Sequence, residues 1–96
     1  MDVREVHEIV RSGRAIKAPD YHPGKRGISF LQILAALERC YHVAPDGRAT
    51  ASGERLHPDG WFALANLPGR RRLRVDFDAF VDPAGKLLLV VTAYET

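Results

Sequence analysis

The sequence predicts an α+β domain in which two N-terminal helices pack on one face of a four-stranded antiparallel sheet. Apolar residues recur at helical spacing over residues 2–12 and 28–41, whereas residues 72–81 alternate between apolar and polar side chains. Turn signals separate the candidate strands that follow the second helix. With 96 residues, the chain is long enough for one core, so we expect a single domain over residues 1–96.

The first predicted helix covers residues 2–12. Its apolar side chains, separated by charged residues, are Val3, Val6, Ile9 and Val10. Gly13 is suited to end the helix in the left-handed conformation. Residues 14–27 contain two prolines and two glycines and are therefore predicted to form a loop.

The second predicted helix begins after Ser29. Ser29 as N-cap and Gln32 three residues later are typical of a capping box, and Ile28 and Ile33 are spaced for a hydrophobic staple. The helix is expected to run to about Tyr41. Its buried residues are predicted to include Leu31, Leu34 and Leu37.

Four strands are predicted at residues 48–57, 61–67, 72–81 and 87–94. The connections are a three-residue loop at Pro58-Asp59-Gly60, a type II turn centred on Pro68-Gly69 and a two-residue turn at Pro83-Ala84. Each strand would therefore pair with the next one along the chain, as in a meander.

Turn lengths predict the register of this sheet, and hence which side chains share a face. The turns would pair His57 with Trp61, Leu64 with Leu73, and Arg72 with Glu95. The face under the helices would carry Leu56, Phe62, Leu64, Leu73, Val75, Phe77, Leu88, Val90 and Tyr94. The opposite face would carry Arg55, His57, Trp61, Arg72, Arg74, Asp76 and Glu95, with Ala63, Ala65 and an apolar strip at Leu87, Leu89, Val91 and Ala93.

Composition narrows the class of protein. The longest apolar runs, such as Leu87-Leu-Leu-Val-Val91, are far shorter than the ~20 residues of a membrane-spanning helix, and no signal peptide is visible. The single cysteine, Cys40, excludes an internal disulfide and a cysteine-based zinc site. We therefore expect a cytoplasmic protein with no membrane partner. The histidines have no metal-ligand spacing, so no metal or other cofactor is predicted.

The positive charge is concentrated in one segment. Residues 48–74 contain six arginines and two acidic residues, while the whole chain has a net charge of only +2. Such a basic block can attract phosphate groups even in a nearly neutral protein. An arginine-rich composition can equally follow from a GC-rich genome, so the block alone does not establish a function.

Several segments resemble the DUF4258 family, which belongs with BrnT-like proteins near the RelE/ParE toxin superfamily. They are Lys25-Arg-Gly-Ile-Ser29, Ile33-Leu-Ala-Ala-Leu37, Arg72-Leu-Arg-Val-Asp76 and Leu89-Val-Val-Thr-Ala-Tyr94. The resemblance covers residues 22–94 and implies a RelE-like fold that meets RNA or the ribosome. It also implies a possible metal-independent ribonuclease acting by attack of the RNA 2′-hydroxyl, without a cofactor, and an antitoxin-like protein as partner.

For catalysis, the candidate residues are His57, Arg72 and Arg74. A histidine can transfer the proton of the attacking hydroxyl, and two arginines on one strand face can hold the phosphate. The alternatives are a surface histidine beside a turn and a solvated sheet face in which Arg72 pairs with Glu95. Tyr94 resembles a C-terminal aromatic residue of some RelE-like toxins, but the predicted register favours the core for it.

Six further residues are candidates for binding RNA or phosphate. They are Lys25, Arg26, Arg55, Trp61, Arg70 and Arg71. Backbone N–H groups at the start of the second helix, together with Lys25 and Arg26, can hold a phosphate, and Trp61 can stack on a base. The alternatives are a solvated basic loop, a tryptophan that packs on an arginine stem, and solvated arginines at the turn.

Two other functions remain open. A non-catalytic interaction module would bind a partner protein or a second copy through the apolar strip at Leu87, Leu89 and Val91. An immunity or anti-defence protein is not distinguished from these by the sequence.

Overall fold

The computed structural model describes residues 2–12, 15–23, 28–56, 60–82 and 85–96, which form two helices and one sheet of five strands. The strand order is β1-β5-β4-β3-β2, with β2 to β5 antiparallel and β1 parallel to β5. The predicted α+β class with two helices and four antiparallel strands is confirmed, and β1 is an additional strand. The elements are α1 (Val3–Ser12), β1 (Ala15–Pro23), α2 (Phe30–Glu38), β2 (His42–Pro45), β3 (Gly60–Leu67), β4 (Arg71–Asp82) and β5 (Gly85–Glu95).

Both helices begin at capping residues. In α1 the Asp2 carboxylate accepts a hydrogen bond of 2.9 Å from the backbone N–H of Glu5. At the start of α2, the Ser29 hydroxyl accepts a 3.1 Å bond from the backbone of Gln32, and the Gln32 side chain accepts a 2.8 Å bond from the backbone of Ser29. The predicted capping box is therefore confirmed.

The helices bury their apolar residues against one face of the sheet. Val6, Ile9 and Val10 of α1 join one core with the buried residues of α2. Those residues are Ile33, Ala36 and Leu37, so the prediction for Leu37 is confirmed, whereas Leu31 is 77% exposed and its predicted burial is wrong. Leu31 lies on the opposite side of a helix of 3.6 residues per turn from Ile33. The helix also ends at Glu38, before the predicted Tyr41.

Two strand predictions are wrong. Residues 48–57 were expected to form the first strand of the meander, but β2 takes that place and pairs with β3. The later segment instead folds back on itself through an isolated bridge between Ala49 and Arg55. Most of the predicted loop at residues 14–27 is β1, whose two prolines are tolerated because it is an edge strand with an irregular register between Lys17 and His22.

The loop between β3 and β4 is one residue longer than predicted, and this reverses the sheet face on which each β3 side chain lies. Leu67 pairs with Arg71, so the loop has three residues rather than two. Gly69 has φ 80°, as a type II turn requires at this position, but Arg70 also lies in the left-handed region at φ 62°. The extra residue moves Leu64 from its predicted partner Leu73 to Arg74. A one-residue shift turns each side chain of the strand to the other face.

A second shift occurs between β4 and β5. From the β4–β5 turn as far as the pair Phe77–Val90, the register agrees with the predicted two-residue connection. The register then changes by one residue between Asp76 and Phe77. Tyr94 consequently pairs with Arg74, and Glu95 pairs with Leu73.

The sheet thus has two different faces. The helix face packs under α1 and α2 and carries Trp61, Ala63, Ala65, Leu73, Val75, Phe77, Val90, Ala93 and Glu95. The open face carries His42, Phe62, Leu64, Asn66, Arg72, Arg74, Asp76 and Tyr94. The predicted burial of Phe62, Leu64 and Tyr94 under the helices is therefore wrong; all three are half-buried on the open face, and Leu56 is 54% exposed.

Candidate functional site on the open face of the sheet

The open face has a cross-strand row of chemically active side chains. His42 of β2 pairs with Leu64, Leu64 pairs with Arg74, and Arg74 pairs with Tyr94 of β5. Directly paired residues of antiparallel strands place their side chains next to each other on one face. An imidazole, a guanidinium and a phenol therefore lie along a single line across four strands.

Phe62 supports two members of this row. The Arg74 guanidinium carbon lies 4.2 Å from the centre of the Phe62 ring, a cation–π contact. On the same face, the ring of exposed His42 lies 5.7 Å from that of Phe62 at a tilt of 56°. The phenylalanine therefore positions Arg74 and His42 through the same ring.

Residues 46–56, which we call the strap, follow β2 and fold into a short hairpin. The backbone N–H of Thr50 donates to the carbonyl of Glu54 at 2.8 Å, and the N–H of Leu56 donates to the carbonyl of Arg48 at 3.0 Å. Asp46 is 2% exposed, whereas all residues from Gly47 to Leu56 are exposed. The strap therefore buries little apolar surface of its own.

A cluster of two carboxylates and two guanidinium groups joins the strap to the open face. Arg48 Nε and Nη2 donate to the two oxygens of Asp46, at 3.0 and 2.6 Å, and Nη2 also lies 3.6 Å from Asp76 Oδ2. Arg74 Nε donates to Asp76 Oδ1 at 2.8 Å. We call Asp46, Arg48, Arg74 and Asp76 the charge cluster.

Mutual charge pairing explains why the cluster tolerates burial. The side chains of Asp46 and Asp76 are only 3% and 10% exposed, and such carboxylates need charged partners. Hydrogen bonds from Arg48 lower the pKa of Asp46 to about 2. The hydrogen bond to Asp46 also raises the pKa of Arg48. Asp46 therefore remains ionised at neutral pH, and the cluster pairs two carboxylates with two guanidinium groups.

Arg74 is incompletely bonded within this cluster. Its Nη2 atom is buried and has no hydrogen-bond partner in the described part of the chain; its distance of 3.9 Å from Asp46 Oδ1 is too long for a hydrogen bond. A guanidinium group has five N–H donors, so the carboxylates leave part of its capacity unused.

Arg70 and Arg72 differ from the two arginines of the charge cluster, because they are exposed and have no acidic partner among the described residues. Arg72 lies on the open face two residues before Arg74, and Arg70 lies in the adjoining turn. Within the described residues, neither forms an ion pair. Arg71 instead points to the helix face and pairs with Glu95, at 3.1 Å from Nε to Oε1. The predicted pairing of Arg72 with Glu95 is wrong because the one-residue shift gives that partner to Arg71.

The structure brings only part of the predicted site together. Arg72 and Arg74 share the open face, but Trp61 lies on the helix face, packed against the core opposite Phe77. The prediction that Trp61 accompanies the arginines is therefore wrong. Arg55 belongs to the strap, not to the predicted strand at residues 48–57, and its Nη2 donates to the carbonyl of Asp46 at 2.7 Å.

Other predicted site residues lie outside the described part of the chain. These are His57, Lys25 and Arg26. The side chains of Leu87, Leu89 and Val91, which form most of the predicted apolar strip, are outside it as well.

Sequence reasoning missed five members of the site: His42, Asp46, Arg48, Phe62 and Tyr94. His42 was not among the predicted site residues because β2 was not predicted. Phe62 and Tyr94 were assigned to the wrong face of the sheet because the predicted strand register was one residue out. The sequence does contain one relevant signal, since Asp46 and Arg48 are two residues apart beside Gly47 in a loop. Their pairing with Arg74 and Asp76 depends on the tertiary fold.

A second polar cluster lies on the helix side. The buried Cys40 sulfur is 3.9 Å from His7 Nε2, which accepts a 3.0 Å hydrogen bond from Arg11 Nε. Burial raises the pKa of the Cys40 thiol, an effect that the charge of Arg11 partly offsets. The thiol is therefore protonated at neutral pH and is a poor nucleophile.

In the described part of the chain, no group of three or more histidine, cysteine or acidic side chains is arranged to bind a metal ion. None of the helices there combines the length and apolar character needed to cross a bilayer. No protein-family model matches the chain, and comparisons with curated proteins and with solved structures found no similar protein.

Proposed function

We propose that this protein binds RNA through the open face of its sheet, as a toxin-type protein similar to the RelE and BrnT groups. The observation that carries the proposal is the position of Arg72, exposed and without an ion pair among the described residues, next to a row that contains Arg74, Tyr94 and His42. RNA supplies the two groups that such a surface recognises, namely phosphates and the faces of bases.

The charge of the open face and its flanking segments favours an anionic ligand. Among the described residues of the open face, the strap and the β3–β4 turn, five arginines outnumber four carboxylates. The arginines are Arg48, Arg55, Arg70, Arg72 and Arg74, and the carboxylates are Asp46, Glu54, Asp76 and Asp78. Guanidinium groups bind phosphate oxygens through paired N–H donors. The rings of His42, Phe62 and Tyr94 add surfaces on which unpaired bases can stack.

Salt-dependent binding to a short single-stranded RNA, measured by fluorescence anisotropy, tests this proposal. Replacing Arg72 with glutamine is expected to weaken binding and to reduce the slope of log K against log salt by about 0.7, one lost phosphate contact on a single strand. Arg71→Gln is the matched control, because it removes the same charge from the neighbouring residue on the helix face.

Two results would overturn the proposal. One is the absence of saturable RNA binding at 50 mM salt. The other is an equal loss of affinity and slope in the Arg72 and Arg71 variants, because binding would then follow net charge rather than the open face.

A second candidate function, RNA cleavage, is favoured by one observation: Tyr94 lies on the open face directly across from Arg74. In the proposed step, the RNA 2′-oxygen bonds to phosphorus and the bond to the 5′-oxygen breaks. The imidazole of His42 accepts the proton of the 2′-hydroxyl, and the phenol of Tyr94 supplies a proton to the leaving 5′-oxygen. The products are a 2′,3′-cyclic phosphate and a 5′-hydroxyl.

Cleavage is tested with RNA and with the same oligonucleotide carrying 2′-O-methyl groups, which cannot react in this way. Tyr94→Phe is expected to slow cleavage by roughly 10²-fold or more if the phenol transfers a proton. The control is Tyr41→Phe, which alters an exposed tyrosine outside the row. Cleavage of the 2′-O-methyl substrate, or equal rates for both variants, would contradict the mechanism.

A further inference from the structure

The charge cluster contains two arginines whose guanidinium groups already contact carboxylates of the protein. Arg48 and Arg74 both lie at the open face, yet their charges are offset by Asp46 and Asp76. The two carboxylates are not equivalent, because Asp76 belongs to a central strand whereas Asp46 lies at the start of the strap.

We infer that Asp46 masks a phosphate-binding site formed by Arg48 and Arg74, and that an RNA phosphate takes the place of its carboxylate. This inference rests on the proposed RNA binding and specifies how part of that surface is regulated. The ligand is a phosphodiester group, and the mask is a carboxylate of the protein itself.

The geometry around Arg48 supports this assignment. Its Nε and Nη2 atoms contact both oxygens of Asp46, at distances of 2.6 to 3.1 Å. This fork is the arrangement in which arginine binds the oxygens of either a carboxylate or a phosphate. Asp46 therefore occupies a position that suits a phosphate group.

The unpaired donor of Arg74 is a second, independent observation. Arg74 Nη2 has no hydrogen-bond partner in the described structure, and Asp46 Oδ1 lies 3.9 Å from it. A phosphodiester has two unesterified oxygens, which can bridge Arg48 and this donor. Replacing the carboxylate would thus complete the bonding of Arg74.

The strap has the properties of a segment that can rearrange around Asp46 while Arg48 stays beside Asp76 of the sheet. Its residues from Gly47 to Leu56 are exposed, and its hairpin bonds, such as Thr50 to Glu54, are internal. Polar contacts attach it to the sheet, including Arg48 to Asp76 and the backbone of Asp46 to that of Gly60 at 2.9 Å. Segments with few buried apolar contacts open locally at low cost in free energy.

The test compares RNA binding by the full-length wild-type chain, Asp46→Asn and Glu54→Gln. Each variant removes one carboxylate from the strap, but exposed Glu54 has no side-chain contact with the charge cluster. We expect Asp46→Asn to bind a single-stranded RNA about tenfold more tightly and to steepen the salt slope by roughly 0.7 to 1.4, one or two added phosphate contacts. Glu54→Gln should leave the slope unchanged.

The outcomes separate this inference from the proposal on which it rests. If Asp46→Asn binds no more tightly than Glu54→Gln while wild-type binding still depends on Arg72, the mask is disproved and RNA binding stands. If neither wild type nor Asp46→Asn binds RNA, both are disproved. If only Asp46→Asn binds, the mask is supported, but RNA binding by the wild-type protein is not.

A measurement on the wild-type protein covers the case in which Asp46→Asn does not fold. The Asp46 carboxylate is titrated by ¹³C NMR with and without the RNA. Displacement from Arg48 would raise the pKa of Asp46 from about 2 towards its ordinary value of 3.8. An unchanged pKa in the RNA complex would show that Asp46 stays on Arg48 and would overturn the inference.

Discussion

The two faces of the sheet bury residues by different means. On the helix face, Leu73, Val75 and Phe77 are almost completely buried among apolar neighbours. On the open face, the same strand carries Arg74 and Asp76, and Asp76 is 7% exposed because charged groups surround it. Successive side chains of β4 thus alternate between the apolar core under the helices and the charge cluster on the open face.

Because of this difference, we expect one face to contribute mainly to stability and the other to ligand binding. Apolar burial is non-directional and depends little on pH. A buried ion pair gains little net stability over apolar packing, because removing charges from water costs free energy, but it leaves strong donors and acceptors in place. The helix face therefore holds the fold together, while the open face retains groups that a phosphate can recruit.

Removing a core side chain from the helix face should have the largest effect on the free energy of unfolding. Phe77→Ala removes a ring that is 1% exposed and leaves a cavity, so the free energy of unfolding should fall by about 3–5 kcal/mol. Urea unfolding measures this value. A loss below about 1 kcal/mol would show that the helix face is not the main source of stability.

Removing a charge from the charge cluster should lower the free energy of unfolding by less than Phe77→Ala does. Asp46→Asn removes the charged acceptor of Arg48, and we expect the free energy of unfolding at pH 7 to fall by about 1.5–3 kcal/mol. Glu54→Gln, which removes an exposed charge from the same strap, should change it by less than about 0.5 kcal/mol. Equal stability of the two variants would contradict the structural role of the charge cluster.

Acid pH should weaken the two faces unequally. The pKa of Asp46 is about 2 in the folded chain, against 3.8 for the free side chain, so the unfolded chain binds more protons between these values. Stability from Asp46 is thus present above pH 4 and is lost as the pH falls towards 2, by about 1–2 kcal/mol. The difference in unfolding free energy between wild type and Asp46→Asn should narrow by that amount over this range, while the cost of Phe77→Ala stays constant. A difference as large at pH 2 as at pH 7 would contradict this assignment.

The smallest effect concerns an ion pair outside the charge cluster. Arg71 is paired with Glu95, but the Arg71 side chain is 51% exposed. Exposed pairs contribute little, so Arg71→Gln should lower the free energy of unfolding by less than about 1 kcal/mol, and high salt should remove the difference. A loss as large as that of Asp46→Asn would show that burial does not distinguish the two pairs.

Local signals predicted the helices well. The capping box at Ser29 and Gln32 depends on residues three apart, and apolar spacing is sufficient to place α1. The alternation of β4 likewise identified Leu73, Val75 and Phe77 as buried. Each of these predictions requires only neighbouring residues.

The open face could not be predicted in the same way, because it depends on register. Arg70 adopts a positive φ, which adds one residue to the β3–β4 loop, and the shift after Asp76 brings Tyr94 opposite Arg74. Neither irregularity has a clear local signature, yet together they decide which aromatic rings accompany the arginines. The charge cluster also required contacts between the strap and β4, which local patterns do not encode.

Backbone NMR of the wild-type protein during titration with a single-stranded RNA tests the central claim most directly. The account predicts shifts concentrated at open-face residues, among them Arg72, Arg74 and Tyr94, with α1 and the outer surface of α2 around Leu31 unchanged. Shifts concentrated on the helices, or none at saturating RNA, would contradict it.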